Sequence, residues 1–216
     1  DIRNDGANQA DKGEETFNIG DAYWKIDFNK HTINNFKLFR SKVDVSYSQT
    51  ASSKNLFNPI RAGISDHVSN FVVHNRRAAN VQVNGNLGSM SYHIVVSDGV
   101  NSDKDSDING NVIRKVNHQK FTYGGKLRYF FIGDAKKVKI QDTFYGHHET
   151  FSIGAGYFQN DKINITNNIG GLETFSFMRK LTNIELSYAI KNLRFLSEYF
   201  YLSGDMIDLS ETTKED

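Results

Sequence analysis

Two basic residues, Lys126 and Arg128, lie within an aromatic stretch of the chain, FTYGGKLRYFF at residues 121–131. Alternate residues of a β-strand point to opposite faces, so these two cations share one face while the large apolar side chains share the other. Cations on a wet face attract anions through their local field. Such a strand suits a soluble sheet with one solvated face, and it suits equally a membrane barrel with lipid outside and water inside.

Further charged residues fall on the corresponding face of other predicted strands. If the chain is a barrel, we predict that its pore is lined by Lys42, Lys120, Lys126, Arg128, Lys137, Lys139, Glu185, Arg194 and Glu198. A barrel favours this placement, because a Lys or Arg that faces lipid at mid-bilayer costs about 2–4 kcal/mol. Glu185 and Glu198 would give either opposed charges across a pore or ordinary cross-strand ion pairs, and the sequence leaves both open.

An acidic segment, SDKDSDINGN at residues 102–111, is a candidate calcium site. Asp103, Asp105, Asp107 and Asn109 occupy alternate positions before Gly110. This is the spacing of oxygen ligands in a calcium-binding loop, without the distal glutamate. A solvated acidic loop is the competing interpretation. Apart from this candidate Ca²⁺, the sequence predicts no cofactor.

No group of residues predicts catalysis. The sequence contains no Gly-x-Ser-x-Gly elbow, phosphate-binding loop, dinucleotide fingerprint or His-Glu-x-x-His pair. The adjacent His147 and His148 would diverge in an extended chain, so we expect a turn there and not a zinc site. We therefore expect no enzyme activity, and the formal net charge of +1 gives no reason to expect a nucleic-acid partner.

The composition favours one all-β unit. The chain has 216 residues with one proline, 17 glycines, 16 Phe and 10 Tyr, which suits strands joined by glycine and asparagine turns. It has no cysteine, which excludes disulfides, thiolate zinc sites and thiol catalysis. The apolar runs are shorter than the 18 or so residues that a transmembrane helix needs, so any membrane crossing would be made by strands.

Alternation of apolar and polar residues recurs along the chain and predicts about ten strands of about ten residues each. The joints alternate between short and long, with long ones at Thr50 to Arg76, Gly99 to His118 and Ile169 to Lys180. Tight turns at one end and long loops at the other are typical of an up-and-down membrane barrel. A short connection at Gly146 to Glu149 is the exception. The predicted strands include two short ones, around Val138 to Ile140 and Ile163 to Ile165.

Several short motifs occur in a particular order along the chain. They are Asp21-Ala22-Tyr23, Lys42-Val43-Asp44-Val45-Ser46, Ser52-Ser53, Leu56 and Arg61, followed by RRAANVQVNGNLGSMSYHIVVSDG, YGGKLRYFF and SEYFYLSGD. This order resembles the phosphate-selective porin O and P family of bacterial outer membranes over most of residues 17–205. Asp44 stands where the family has a proline and Val45 where it has an aromatic residue, and the chain ends SETTKED without a terminal aromatic strand.

The resemblance implies a sixteen-stranded barrel that leaves an aqueous channel, assembled as a homotrimer. We therefore expect an all-β fold, an antiparallel up-and-down transmembrane β-barrel, with residues 1–216 forming a single porin domain that is incomplete at one or both ends. The expected partners are outer-membrane lipid and lipopolysaccharide, together with small anions or other small solutes.

Three functions are compatible with the sequence. The first is an outer-membrane porin that passes small hydrophilic solutes by diffusion, with a preference for anions such as phosphate. The second is a narrow, non-conducting outer-membrane barrel that acts as an adhesin or anchor through its external loops. The third is a soluble β-sandwich or jelly-roll binding module.

Overall fold

A computed structural model describes residues 21–30, 32–50, 63–73, 77–98, 104–106, 112–118, 121–135, 147–160, 163–167, 173–191 and 193–204. These residues form twelve strands and two helices. The strands are β1 Ala22–Lys30, β2 Ile33–Lys42, β3 Arg77–Leu87, β4 Met90–Asp98, β5 Lys104–Ser106, β6 Val112–His118, β7 Phe121–Ile132, β8 His147–Asn160, β9 Ile163–Asn167, β10 Glu173–Phe177, β11 Lys180–Lys191 and β12 Leu193–Ser203. The helices are α1 Tyr47–Thr50 and α2 Gly63–Val72.

Eight of the strands form one antiparallel sheet in the order β1-β2-β3-β4-β7-β8-β11-β12. Each strand pairs with the member of this sheet that precedes it along the chain, which confirms an all-β, up-and-down arrangement. Within the described residues the two outer strands, β1 and β12, do not pair with each other. The main sheet is therefore open between them.

The other four strands form a small second sheet in the order β10-β9-β6-β5. Its strands lie in the long connections from β4 to β7 and from β8 to β11, and the two connections meet where β6 pairs with β9. The connections at Gly99 to His118 and Ile169 to Lys180 are long, as predicted, but the strands β5, β6 and β10 inside them were not predicted. The predicted strand at Ile163 to Ile165 is β9, but it belongs to this second sheet.

The connections of the main sheet are long at one end and short at the other. At one end the strands are joined by residues 43–76, 99–120 and 161–179. At the other end the connections are as short as residues 31–32, 88–89 and 192. The β7–β8 connection at the short end spans residues 133–146, and the predicted joint at Gly146 to Glu149 was wrong because residues 147–149 already belong to β8. The predicted strand at Val138 to Ile140 lies outside the described residues.

The two faces of the main sheet have the reverse of the usual polarity. The apolar face is open, with Ile94 55% and Leu127 53% exposed. The opposite face is polar and covered, with Gln82 and Asn183 at most 1% exposed. The alternation predicted for residues 121–131 is confirmed along β7. In water-soluble proteins buried positions are mostly apolar, so this sheet departs from the general rule.

The segment that follows β2 covers the polar face, and we call residues 43–50 and 63–73 the inner segment. It contributes Val68 and Val72 of α2, which lie four residues apart on one helical face. The buried cluster that joins the inner segment to the strands comprises Val43, Val45, Val68, Phe71, Val72, Val73, Val95, Phe158 and Leu181. The prediction of an external loop at Thr50 to Arg76 was wrong for α2, because its apolar side chains pack against the sheet. Neither described helix is long and apolar enough to cross a membrane.

The position of the inner segment shows that the main sheet is strongly curved. Six strand spacings separate β2 from β12, which is about 29 Å in a flat sheet. Ser46 is four residues beyond the end of β2, a reach of about 14 Å. Ser46 Oγ nevertheless lies 3.0 Å from Glu198 Oε2 on β12. Two side chains cannot span the remaining distance of a flat sheet, so the polar face is concave and the inner segment crosses it.

Candidate functional site

Four charged side chains meet on the concave face and form what we call the charge cluster: Asp44, Lys126, Arg128 and Glu185. Lys126 Nζ lies 2.9 Å from Glu185 Oε2 and 3.5 Å from Asp44 Oδ1. Arg128 Nη1 lies 2.7 Å from Asp44 Oδ2, and Arg128 Nε donates a hydrogen bond to Glu185 Oε1. The cluster therefore contains two cations and two carboxylates, each cation in contact with both carboxylates.

Two glycines of β8 make this meeting possible. Lys126 and Arg128 on β7 lie opposite Gly156 and Gly154 on β8, and Gly154 in turn lies opposite Glu185 on β11. A Cβ atom at position 154 would stand 2.6 Å from Glu185 Cγ, and one at position 156 would stand 3.2 Å from Lys126 Cε. Because both glycines lack side chains, the long cations of β7 reach across β8 to the carboxylate of β11.

The charge cluster is almost completely removed from water. The side chains of Lys126 and Glu185 are 0% and 2% exposed, and that of Arg128 is 11% exposed. Burial alone would raise the pKa of Asp44, but the neighbouring Arg128 and Lys126 charges outweigh it and hold that pKa well below its usual range. Asp44 is therefore a carboxylate at all ordinary pH values, and the cluster is electrically balanced.

The inner segment has a second polar anchor on β12. Glu198 accepts hydrogen bonds from the Tyr47 backbone N–H at 2.7 Å and from Ser46 Oγ at 3.0 Å. The Arg194 guanidinium lies 4.5 Å from the centre of the Tyr47 ring, which is within the range of a cation–π contact. Residues 44–47 are thus fixed directly to β7 and β12, and through the cations of β7 to Glu185 on β11.

The predicted pore-lining residues fall into three groups. Lys126, Arg128 and Glu185 lie on the polar face as predicted, but they contact Asp44 or one another and not open solvent. Lys42, Arg194 and Glu198 contact the inner segment, Lys42 Nζ by donating to the Thr50 carbonyl oxygen at 3.3 Å. The prediction for Lys120, Lys137 and Lys139 lies outside the described residues.

The candidate calcium ligands also lie largely outside the described residues. Asp103, Asp107 and Asn109 are not among them, and Asp105 lies in β5, of which only the backbone is described. In the part of the chain that the structure describes, no group of three or more His, Cys, Asp or Glu side chains could hold a metal ion. The calcium site stays a prediction.

Sequence reasoning missed Asp44, which holds the cluster together. The signal was an acidic residue between Val43 and Val45, where the resemblance leads one to expect proline. A lone carboxylate in an apolar context requires a cation partner when it is buried. The partners could not be identified from the sequence, because they lie on β7, three strands away from β2 in the sheet.

The concave face also has a side that the inner segment leaves accessible, which we call the open side. It comprises Tyr23, Lys25 and Asp27 of β1 with Asn35 and Lys37 of β2. Asp21, directly before β1, lies close enough to attract the charge of Lys37. Lys25 and Asp27 form an ion pair of 2.7 Å with side chains 41% and 46% exposed. We call the inward-facing residues of β4, β7, β8 and β11 the covered side.

A row of polar side chains connects the two sides. Asn84 Nδ2 donates to Asn35 Oδ1 at 3.0 Å, and Asn84 Oδ1 lies 2.7 Å from His93 Nδ1. His93 is buried and lies opposite Lys126 in the β4–β7 register.

Comparisons of this chain with protein-family models, with curated proteins and with solved structures gave no match.

Proposed function

We propose that this chain forms the wall of a β-barrel in the bacterial outer membrane, through which small hydrophilic solutes diffuse. The reversed polarity of the main sheet carries the proposal. In water, each square ångström of exposed apolar surface costs about 25 cal/mol relative to burial, and monomeric soluble proteins rarely expose such a large apolar surface. A lipid environment removes that cost, while the concave face keeps its contact with polar groups.

The positions of aromatic residues on the apolar face support membrane insertion. Near the short-connection end, the ring of Phe151 lies 5.2 Å from that of Phe131 and 6.2 Å from that of Tyr188. Tyr123 and Tyr157 lie on the same face towards the other end. Along β8, six residues, or about 20 Å of strand, separate Phe151 from Tyr157. Outer-membrane barrels have an apolar band of about 25 Å between two aromatic girdles.

The inner segment supports a barrel with more than eight strands. A closed barrel of about eight strands fills its interior with its own side chains. Here the concave face must also accommodate α2, whose Val72 is fully buried against the sheet. We infer that further strands pair with β1 and β12, and the sixteen-stranded barrel implied by the resemblance would supply them.

The remaining parts of the proposal rest on the resemblance to the phosphate-selective porins. These parts are a preference for anions such as phosphate, assembly as a homotrimer and contact of the long connections with lipopolysaccharide. In an outer-membrane barrel the short connections face the periplasm and the long ones face the exterior. The second sheet, built from two long connections, would then lie on the exterior side.

A narrow, non-conducting barrel is the second candidate function. It is favoured by one observation: the apolar cluster of the inner segment packs directly on Val95, Phe158 and Leu181 of the concave face. If this packing fills the interior, the barrel acts as an anchor or adhesin. A soluble β-sandwich fits the described residues less well, since it would need a second sheet packed on the face that exposes Ile94 and Leu127.

Single-channel recording in a planar lipid bilayer tests the proposal. We expect the detergent-extracted protein to insert and give stepwise conductance, with a reversal potential under a salt gradient that favours anions. Insertion without conductance would support the narrow barrel. A protein that stays in the aqueous phase on detergent partition would contradict membrane insertion and favour the soluble module.

A further inference from the structure

Asn183 on β11 carries a buried amide for which the described residues offer no hydrogen-bond partner. The residue is 0% exposed, and both its Nδ2 and its Oδ1 are without a partner in that part of the chain. Burying an amide without a hydrogen bond costs about 1–3 kcal/mol in proteins. Buried polar groups in folded proteins are nearly always paired, so this amide calls for a physical explanation.

The amine of Lys126 reaches the same strand. Lys126, Gly156 and Asn183 are in register on three neighbouring strands, β7, β8 and β11. Because Gly156 has no side chain, the stem of Lys126 crosses β8 and its Nζ lies 2.9 Å from Glu185 Oε2. Glu185 is two residues from Asn183, so the two side chains point to the same face about 7 Å apart along the strand. A rotation at the end of the Lys126 side chain therefore carries its amine towards the Asn183 amide.

Water is excluded from this group of side chains. The side chains of Lys126 and Glu185 are 0% and 2% exposed. The ring of Phe158, itself fully buried, borders Gly156, since its Cε2 would lie 3.3 Å from a Cβ at that position. Transfer of one proton from Lys126 to Glu185 would leave both groups neutral, and burial penalises neutral groups less than ions. The charges of Arg128 and Asp44 would still balance each other.

We propose that Lys126 and Asn183 form an amide bond that joins β7 to β11 across β8. Glu185 accepts a proton from the Lys126 ammonium, and the neutral Nζ, now a nucleophile, attacks Asn183 Cγ. The bond from Cγ to Nδ2 breaks, and Nδ2 leaves as ammonia with a second proton taken from Nζ. The products are one secondary amide and one ammonia, so the reaction needs no oxidant and no further reactant.

The bond accounts for the unpartnered amide and adds to the rigidity of the concave face. Glu185, which keeps the proton that it accepted, can donate it in a hydrogen bond to the carbonyl oxygen of Asn183. Lys126 and Asn183 lie on the face that the inner segment covers, so the bond strengthens the wall on which α2 packs. It forms within the sheet and is independent of whether the barrel conducts.

Peptide mapping of the full chain, extracted in detergent and kept folded at neutral pH, tests the bond. We expect no tryptic cleavage after Lys126, and we expect residues 121–128 to be released linked to residues 181–191, which contain Asn183. The product should be lighter than the two peptides together by one ammonia, about 17 Da. The linked peptide is the decisive readout, because Asn84-Gly85 and Asn109-Gly110 can also lose ammonia by cyclisation.

Three variants sharpen the test. Asn183→Ser should give no linked peptide. Asn160→Ser, which changes another buried asparagine whose Oδ1 already accepts from Thr122 Oγ1 at 2.9 Å, should retain it. Glu185→Gln cannot accept the proton, so we expect it to form the link at least ten times more slowly than wild type. Separate, unlinked peptides from folded wild type would overturn the bond, and an equal rate in Glu185→Gln would overturn the role assigned to Glu185.

Discussion

The covered and open sides of the concave face contain the same kinds of side chain in different circumstances. Lys126 on the covered side has two carboxylates within 4 Å and no exposed surface. Lys25 on the open side pairs with one carboxylate and remains 41% exposed. A buried ion pair is sensitive to loss of one partner, whereas an exposed pair contributes little to stability. The comparison indicates that the charges of the covered side hold the inner segment in place, whereas those of the open side contribute little to stability.

The largest effect is expected when the charge cluster loses one charge. Glu185→Gln keeps the shape of the side chain but leaves Lys126 and Arg128 with Asp44 as their remaining carboxylate. We expect the free energy of unfolding to fall by about 3 kcal/mol, because an uncompensated charge is left buried. Urea unfolding in lipid vesicles, followed by the fluorescence of Trp24, the one tryptophan of the chain, would measure it.

The matched control is Asp27→Asn on the open side, which makes the same carboxylate-to-amide change. Its ion pair with Lys25 is nearly half exposed, so we expect a loss of no more than about 0.5 kcal/mol. Equal losses in the two variants would contradict the distinction between the two sides.

The second largest effect on stability is expected when a methyl group is added at one of the two glycines that make room for the charge cluster. In Gly154→Ala the new Cβ would lie 2.6 Å from Glu185 Cγ, so Glu185 must move away from Arg128. We expect a loss of about 2 kcal/mol in the free energy of unfolding, as is typical of overpacking. Gly156→Ala, whose Cβ would meet the flexible end of Lys126 at 3.2 Å, should cost less. The reverse order would show that the glycines do not make room for the cluster.

A smaller effect on the free energy of unfolding is expected when the pH is lowered. The pKa of Asp44 is held far below its usual range in the folded protein, whereas in the unfolded chain an aspartate has a pKa of about 3.9. The unfolded state therefore takes up the proton first, so the stabilisation is complete above about pH 5 and decreases as the pH falls. We expect the stability difference between wild type and Asp44→Asn to shrink by about 1 kcal/mol from pH 5 to pH 3. A pH-independent difference would argue against the ion pairs of Asp44.

The strands of the main sheet could be predicted from the sequence, and the contacts on its concave face could not. Along β7, apolar and polar residues alternate, so the period of two assigns each side chain to a face. Lys126 and Arg128 were assigned to the polar face by this reasoning, which is correct. Whether that face is wet depends on residues 43–50 and 63–73, which fold over it through contacts with strands far along the chain.

Contacts between distant parts of the chain also explain why the second sheet and the role of two glycines in β8 could not be predicted. β6 pairs with β9 although about fifty residues separate them. Alternation predicted β9 as a strand but could not identify its partner, and β6 was not predicted. Gly154 and Gly156 appear in the sequence as ordinary members of an alternating strand. Their role becomes visible when the register places them between Arg128 or Lys126 on one strand and Glu185 on another.

The smallest effect on stability is expected on the open side, and its sign should be opposite to that on the covered side. Lys37→Gln removes a charge that stands directly opposite Lys25, so cross-strand repulsion disappears and we expect a gain of up to about 0.5 kcal/mol. The loss of the contact between Lys37 and the Tyr23 ring, and of the attraction between Lys37 and Asp21, offsets part of that gain. Urea unfolding of wild type, Lys37→Gln and Glu185→Gln under the same conditions would measure the gain and the loss in the free energy of unfolding together. A loss as large as that of Glu185→Gln would mean that Lys37 also holds the structure, and the distinction between the charges of the two sides would then fail.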